Sequence, residues 1–219
     1  MIVENSTITK KYDFKVKYDQ HGKDVEFDFY DKDELLLIEN FEKIVLKLRE
    51  ENLEEYSMVE LGSNQAYYSL LFKSILKDKK VTSIMVEPHE PYLVRGVEHF
   101  DMNNFSGIFL NKSIGNNWVA HLTNFDVETI SVDEIIEEYE LDELSVLHSD
   151  IDGSEIVMLH GCEQSFLTKK IKHGFILTHG LETHLECLNI LSKYEYNVVL
   201  DHRENNVGCD GLIIIEVKK

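Results

Sequence analysis

Four residues near position 60 combine a carboxylate with a tight turn. Glu60 offers a carboxylate to a ligand ammonium group, and Gly62, which has no side chain, lets a ligand lie close to the backbone. Ser63 and Asn64 are small polar residues suited to a turn into a helix. Because ligands in open α/β sheets lie beyond the carboxyl ends of the strands, these residues predict a binding site at the end of a strand over Met58–Leu61.

A second carboxylate, Glu87, follows the next apolar strand, Val81–Val86. It lies 25 positions after Gly62, and an acidic residue at about this spacing is suited to accept hydrogen bonds from ribose hydroxyls. A dinucleotide site would need three spaced glycines to approach a pyrophosphate, whereas Gly62 is the single glycine in this turn. The pattern therefore indicates a ribose-containing ligand and argues against NAD.

Acidic and imidazole side chains follow the fourth and fifth predicted strands. Asp150 comes directly after Leu144–Ser149, and we expect it to lie beside ligand or substrate. His179 ends the strand Phe175–His179, where an imidazole can act as a general base near neutral pH or can simply be hydrogen-bonded at the strand terminus. Together with His148 they offer mixed nitrogen and oxygen ligands for a divalent metal, but no HxH or HxxxH spacing demands one, so no metal ligand is assigned.

Several neighbouring residues have structural interpretations. Asp152 is placed to cap a helix over Ser154–Leu167, and Glu155, in its first turn, favours the helix dipole besides being a possible ligand. His184 lies five residues after His179 and is a weaker candidate, because it lies on a helix and could be exposed. Asp210 precedes the last strand, where it could face the same cleft across the sheet or simply form a turn. Three aromatic residues could stack on a sugar or on adenine, namely Tyr67, Tyr68 and Trp118. Most aromatic residues at such positions belong to the hydrophobic core.

Alternating strands and helices must position these residues. The predicted strands are Met58–Leu61, Val81–Val86, Gly107–Leu110, Leu144–Ser149, Phe175–His179, Tyr196–Leu200 and Gly211–Val217. The predicted helices are Ala66–Leu76, one from Pro91 to Met102, one starting at Ser131 with Glu134 placed for a capping box, Ser154–Leu167 and Glu182–Tyr194. Repeated β-α units imply a parallel sheet with helices on both faces, and the last two strands lack room for a crossover helix. The fold class is therefore α/β, a Rossmann-like sheet that is mostly parallel with one antiparallel edge strand.

The first 56 residues are predicted to form an accessory unit, and residues 57–219 the main domain. Residues 12–30 alternate with period two around a Gly-containing turn, with Phe14, Val16 and Tyr18 on one face, which predicts a β-hairpin. A helix from Asp33 to about Glu51 follows, with apolar residues at helical spacing.

The composition of the chain limits the substrates and the cellular location that we expect. The formal net charge of −19 repels phosphate backbones, so a nucleic-acid substrate is disfavoured. The chain has no apolar stretch long enough to span a bilayer and no signal-like opening, and its three cysteines lack metal-type spacing. We expect a cytoplasmic protein with reduced thiols that acts without membrane contact.

From position 57 to 217 the chain resembles the FkbM-type family of class I methyltransferases. The resemblance is carried, in order, by VELGSNQAYYSL, MVEPHEPY, SVDEI, LHSDIDGSEIVMLHG, ILTHG and a terminal DGLIII. It departs from the family at Ala66, where a second glycine is usual, and at His148-Ser149, where many members have Lys followed by an apolar residue.

The resemblance implies an S-adenosylmethionine-dependent O-methyltransferase that transfers a one-carbon group to a hydroxyl of a sugar, glycan or small metabolite. Glu60, Gly62, Ser63 and Asn64 would hold the methionine end of the cofactor, and Glu87 would hold its ribose. Ser113 falls where the family contacts the adenine side, and Asp150 would lie near the cofactor. Asp150 and His179 are the candidate catalytic residues.

Two other classes of function remain open. An NAD(P)-type or nucleotide-sugar enzyme could use the same sheet, but no convincing Tyr-x-x-x-Lys pair follows the fourth strand. A methyltransferase-like interaction protein without activity is the other, and Ala66 is the feature that favours it. Binding of S-adenosylmethionine without binding of NAD distinguishes these alternatives. The methyl acceptor and a possible homo-oligomeric state are not encoded in a recognisable motif.

Overall fold

A seven-stranded β-sheet with helices packed on it organises the part of the chain that the computed structural model describes, which is residues 2–3, 7–17, 32–115, 127–203 and 210–218. The strands are β1 (Ile2–Val3), β2 (Val16–Lys17), β3 (Tyr56–Leu61), β4 (Val81–Val86), β5 (Ile108–Leu110), β6 (Ser113–Ile114), β7 (Thr129–Ile130), β8 (Leu144–Ser149), β9 (Ile171–His179), β10 (Tyr196–Arg203) and β11 (Asp210–Val217). The helices are α1 (Thr7–Tyr12), α2 (Lys32–Glu50), α3 (Tyr67–Ile75), α4 (Glu90–Met102), α5 (Val132–Glu138), α6 (Glu155–His160), α7 (Glu163–Leu167) and α8 (Leu181–Leu191).

The large sheet has the strand order β10-β11-β9-β8-β3-β4-β5. Neighbouring strands from β9 to β5 are parallel, whereas β11 runs antiparallel to both β9 and β10. The reversed strand therefore lies one position inside the edge, and the β10–β11 pair forms the antiparallel edge. This arrangement confirms the predicted fold class.

Alternate residues of the central strands supply two hydrophobic cores, one on each face of the sheet. On β3, Met58 packs into a core with α2, α3 and α4, while Val59 and Leu61 pack into a core with α5, α6, α7 and α8. Met58, Val59 and Leu61 are completely buried. Because side chains alternate across a strand, burial on both faces requires the continuous apolar runs that the sequence shows. The helices thus hold the carboxyl ends of the parallel strands at one common edge.

The first third of the chain agrees in part with its predicted pattern. The predicted helix is confirmed as α2, whose Phe41 ring lies 5.2 Å from that of Phe175 on the sheet. The hairpin prediction is wrong for its first arm, because Tyr12 belongs to α1 and β2 pairs with β1 instead. Residues 18–31, which contain the predicted turn and second arm, lie outside the described residues. The domain boundary at residue 56 stays a prediction.

The predicted helix over Ser154–Leu167 is two helices, α6 and α7. The break at Gly161 is stabilised from α5, because the backbone N–H of Asp133 donates to the Gly161 carbonyl and the Asp133 carboxylate accepts from the N–H groups of Gln164 and Ser165. The predicted capping box of Ser131 and Glu134 is confirmed at the start of α5. In the described ranges, no helix combines the length and apolar character that crossing a bilayer requires.

Candidate functional site

The turn after β3 contains three alternate residues in the left-handed backbone region. Gly62 has φ +65°, Asn64 has φ +45° and Ala66 has φ +62°. Glycine adopts this conformation freely and asparagine tolerates it, whereas alanine pays a strain of about 1–2 kcal/mol. The backbone at Ala66 is thus of the kind that a glycine favours, although no glycine is present there. Sequence reasoning identified Gly62 and Asn64 as turn residues and Ala66 as a position where the family usually has glycine, but it did not predict a left-handed backbone at all three positions.

Gly62 is required by close packing as well as by its φ angle. A Cβ atom at this position would lie 1.8 Å from the backbone oxygen of Asp150. The N–H of Asp150 donates to the Leu61 carbonyl at 3.0 Å, which brings the loop after β8 against the turn after β3. The predicted ligand turn and the predicted catalytic aspartate therefore adjoin each other.

Glu87 links the loops that follow β3, β4 and β5. Its carboxylate accepts hydrogen bonds from the backbone N–H groups of Asn64 and His89, both at 2.8 Å. The side-chain amide of Asn111 donates to the carbonyls of Glu87 and Pro88, both at 3.0 Å. Glu87 is buried. Sequence reasoning missed Asn111, although its signal, a polar residue directly after a strand, is the one that identified Glu87.

Glu60 is directed towards a helix rather than towards an open edge. Its two carboxylate oxygens accept from the backbone N–H groups of Tyr68 and Ser69, at 3.2 and 3.0 Å. The side chain is fully enclosed, and burial raises the pKa of Glu60 to about 7. Glu60 thus satisfies the first amides of α3, which have no partner within the helix. Contact with a ligand ammonium group stays a prediction.

Two serines lie beside these loops. Ser63 is buried directly after Gly62, and its hydroxyl has no hydrogen-bond partner among the described residues. A buried hydroxyl without a partner costs about 1–3 kcal/mol, so a ligand that bonds it gains affinity. Ser113 is buried in β6, where its backbone N–H donates to the Glu128 carbonyl at 2.9 Å. The structure brings Gly62, Ser63, Asn64 and Glu87 together. Ser113 follows shortly after the end of β5, the strand next to β4.

His179 ends β9 among three carboxylates. Its Nδ1 atom lies 2.5 Å from Glu155 Oε1, and its Nε2 atom lies 3.4 Å from Asp150 Oδ1 and 3.2 Å from Asp152 Oδ1. The Glu155 side chain is 0% exposed, the Asp150 side chain 46% and the Asp152 side chain 97%. The two predicted catalytic residues, Asp150 and His179, are therefore neighbours at the carboxyl edge of the sheet.

His148 does not join this cluster. The strand ends one residue later, and the imidazole is buried in the core, stacked on the Tyr68 ring at a centroid distance of 4.2 Å. Burial lowers the pKa of His148 to about 3, so the ring is neutral, and both of its nitrogens lack a partner among the described residues. The expectation that His148 shares the ligand edge with Asp150 is wrong.

His184 is buried rather than exposed. Its Nδ1 lies 2.7 Å from the Thr178 hydroxyl, and its Nε2 lies 3.0 Å from Asp201 Oδ1. The Arg203 guanidinium, followed by the hydrogen bond to His184, lowers the pKa of Asp201 to about 2. Gly211 makes room for this ring, because a Cβ there would lie 2.3 Å from His184 Nδ1. His184 is therefore fixed as a structural bridge between α8 and β10.

The remaining sequence expectations have mixed outcomes. Asp152 does not cap α6: Ser154 precedes that helix, and no side-chain cap hydrogen bond forms there. Tyr67 and Tyr68 pack on each other and on core rings, so the core interpretation holds. Trp118 and the side chain of Asp210 lie outside what the structure describes. Within the described ranges, no group of three or more His, Cys, Asp or Glu side chains has the arrangement of a metal site.

Comparisons with known proteins support the fold. No protein-family model matches the chain, and no curated protein sequence matches it. Among solved structures, the METTL16 MTase domain is similar with a TM-score of 0.59 at 8% identity, covering 97% of this chain and 77% of that chain. TrmK of M. capricolum, in complex with its natural cofactor product S-adenosyl-homocysteine, has a TM-score of 0.50 at 12% identity and covers 82% of this chain and 68% of that chain.

The FkbM methyltransferase of Methylobacillus flagellatus KT is also similar, with a TM-score of 0.52 at 21% identity. The match covers 74% of this chain and 44% of that chain, so this chain spans less than half of that protein. The likenesses show that the described chain has the Rossmann-like fold of class I methyltransferases.

Proposed function

We propose that this protein is an S-adenosylmethionine-dependent O-methyltransferase of the FkbM type. One observation carries the proposal: a turn of alternating left-handed residues ends β3, and its Asn64 N–H is bonded to the Glu87 carboxylate at the end of the neighbouring parallel strand. In this class of sheet, ligands bind beyond the carboxyl ends of the strands. The solved methyltransferases of the same fold, one of them bound to S-adenosyl-homocysteine, support the choice of cofactor.

The residues at this edge fit the proposed cofactor. The backbone of Gly62, Ser63 and Asn64 would hold the methionine end, and the partnerless Ser63 hydroxyl supplies a free hydrogen-bonding group there. Each oxygen of Glu87 accepts one backbone hydrogen bond, which leaves lone pairs to accept from ribose hydroxyls. Ser113 would lie on the adenine side. Glu60 would act by fixing the start of α3, because its enclosed carboxylate accepts from the first amides of that helix.

When bound, S-adenosylmethionine supplies a methyl group on a positively charged sulfur. Asp150 and His179 would orient the acceptor hydroxyl towards it and receive the hydroxyl proton, since both side chains are partly exposed at the same strand edge. Alignment of the reacting atoms is the main contribution that a protein makes to such a displacement.

A sugar, glycan or small-metabolite hydroxyl is the proposed acceptor, with the cytoplasm as the proposed location. The resemblance of the motif LHSDIDGSE to the FkbM-type family supports this choice. The exposed carboxylates of Asp150 and Asp152 suit an acceptor rich in hydroxyl donors. The formal net charge of −19 disfavours a nucleic-acid acceptor.

Calorimetry with S-adenosylmethionine, S-adenosyl-homocysteine and NAD tests the proposal. We expect both sulfur ligands to bind and NAD to give no heat. Methyl transfer is then measured from isotope-labelled cofactor to the methyl glycosides of glucose, galactose, mannose and rhamnose. Folded protein that binds neither sulfur ligand would refute the proposal and favour an interaction protein, and binding of NAD would favour an oxidoreductase.

A further inference from the structure

The proposed methyltransferase site contains a fully buried carboxylate, that of Glu155. Its Oε1 accepts from the Gly153 N–H at 3.0 Å and contacts His179 Nδ1 at 2.5 Å. Its Oε2 has no partner among the described residues. Burying an ionised carboxylate costs several kcal/mol unless it is well paired. The His179 ring is therefore a principal partner of this group.

Contact with Glu155 determines which nitrogen of His179 carries the proton. A carboxylate accepts hydrogen bonds and does not donate them, so Nδ1 is the donor in this pair. A neutral ring then has its lone pair on Nε2, the nitrogen that lies near Asp150 and Asp152. Those two carboxylates are 46% and 97% exposed and lie 3.4 and 3.2 Å from Nε2, so an acceptor hydroxyl can take their place at Nε2 while it remains beside Asp150.

We infer that Glu155 is a positioning residue that holds His179 in the Nδ1–H tautomer, so that Nε2 accepts the proton of the acceptor hydroxyl. The inference rests on the proposed methyl transfer. The acceptor hydroxyl gives its proton to Nε2 while its oxygen forms a bond to the methyl carbon. The bond from that carbon to sulfur breaks, its electron pair stays on sulfur as a neutral thioether, and the proton on Nε2 then leaves to solvent.

A negative charge at Nδ1 also stabilises the imidazolium that forms during this step. Removing it destabilises the protonated ring, so the acidic limb of the pH–rate profile moves to lower pH. The structure places three charged side chains against His179, which are Glu155 of α6 and Asp150 and Asp152 of the loop before that helix. Asp210 is the backbone partner of His179 in the register of β11.

Nitrogen NMR of the histidine rings tests the inference without any cofactor. Protein labelled at histidine is recorded at a pH where the rings are neutral, and the His179 signals are assigned with His179→Gln. We expect the wild-type ring to be protonated on Nδ1. The Nδ1–H population should fall in Glu155→Gln and fall further in Glu155→Met, which offers no acceptor. Glu182→Gln, which removes one charge at an exposed position, is the matched control and should resemble wild type.

Rates with the methyl glycoside that is methylated fastest give the second measurement. We expect Glu155→Met to lower kcat at least tenfold with the cofactor KM unchanged, and Glu155→Gln to move the acidic limb to lower pH. A wild-type ring protonated on Nε2, or a tautomer population unaffected by Glu155→Met, would overturn the inference. If wild type binds no sulfur ligand, the proposed function fails, while the ring spectra still decide whether Glu155 sets the tautomer.

Discussion

The Glu87 carboxylate accepts a hydrogen bond from the backbone N–H of Asn64 at 2.8 Å, across the ends of two neighbouring strands. Asn64 has a left-handed backbone, as do Gly62 and Ala66 in the same turn. The acidic residue and the turn were separate signals in the sequence, and the structure joins them in one hydrogen-bonded unit. Both are thus placed to contact one ligand.

Glu87→Ala should weaken binding of S-adenosylmethionine by about 1–3 kcal/mol, or roughly 5- to 150-fold, because a charged acceptor for ribose hydroxyls is lost. Calorimetry measures the affinity, and urea unfolding checks that the loops remain folded. The control is Glu90→Ala, which removes an exposed carboxylate in the first turn of α4. Equal affinity of the two variants would count against Glu87 as the ribose ligand.

Gly62→Ala and Ala66→Gly should differ strongly in urea unfolding. The first places a Cβ 1.8 Å from the Asp150 carbonyl oxygen at a positive φ, and it should lower the free energy of unfolding by more than about 2 kcal/mol. The second relieves left-handed strain, but it removes a buried methyl group and increases the conformational entropy of the unfolded chain. These effects oppose each other, so the free energy of unfolding should change by no more than about 1 kcal/mol. Similar stabilities would show that the turn is not constrained as described.

Asp150→Asn should lower the rate of methyl transfer about tenfold or more, since the carboxylate lies beside His179 at the reactive edge. Its side chain is 46% exposed, so the free energy of unfolding should change by no more than about 0.5 kcal/mol. Asp142→Asn, at an exposed position near the opposite end of β8, is the control for both measurements. Unchanged turnover in Asp150→Asn would remove this residue from the site.

Glu60 should make the protein less stable as the pH rises. Its pKa is about 7 in the folded protein and near 4.5 when unfolded, so the folded state binds the proton more tightly. The resulting stabilisation is complete below pH 4.5 and is lost as the pH rises towards 7, amounting to roughly 3 kcal/mol. Relative to wild type, Glu60→Gln should therefore gain stability between pH 4.5 and 7.5. A constant difference across this range would contradict the raised pKa.

His148 should have the opposite effect on the acid side. Its pKa is about 3 when folded and near 6.5 when unfolded, so the stability present above pH 6.5 is lost as the pH falls towards 3. The loss is on the order of 5 kcal/mol at its limit. His148→Phe keeps a ring against Tyr68 and should move the midpoint of acid unfolding to lower pH. An unchanged acid midpoint would mean that the ring accepts a proton without unfolding.

Much of the fold could be predicted because it depends on local pattern. The bounds of β4 and β8 agree with their apolar runs, and the Ser131–Glu134 capping box is a contact within one turn. The antiparallel edge follows from the short connection before the last strand. Each of these features is determined by residues that are close in sequence.

Features that depend on distant residues could not be predicted. The break between α6 and α7 is held by Asp133, some thirty residues earlier, although the apolar spacing continues through it. Glu155 and His179 are 24 positions apart, and their contact exists only when α6 and β9 are both packed. The hydrogen bonds from the first amides of α3 to the Glu60 carboxylate could not be predicted either, because they form only when the helix packs at the end of β3.

The position of β11 has a consequence for synthesis of the protein. This strand follows β10 in the chain, but in the sheet it lies between β10 and β9. A nascent chain that ends before residue 210 therefore leaves the backbone N–H and C=O groups on one side of β9 without their partners from β11. His179 belongs to β9 and lies opposite Asp210. The ribosome must therefore release residues 210–217 before this part of the sheet can close, and until then the chain presents a strand edge that other chains can join.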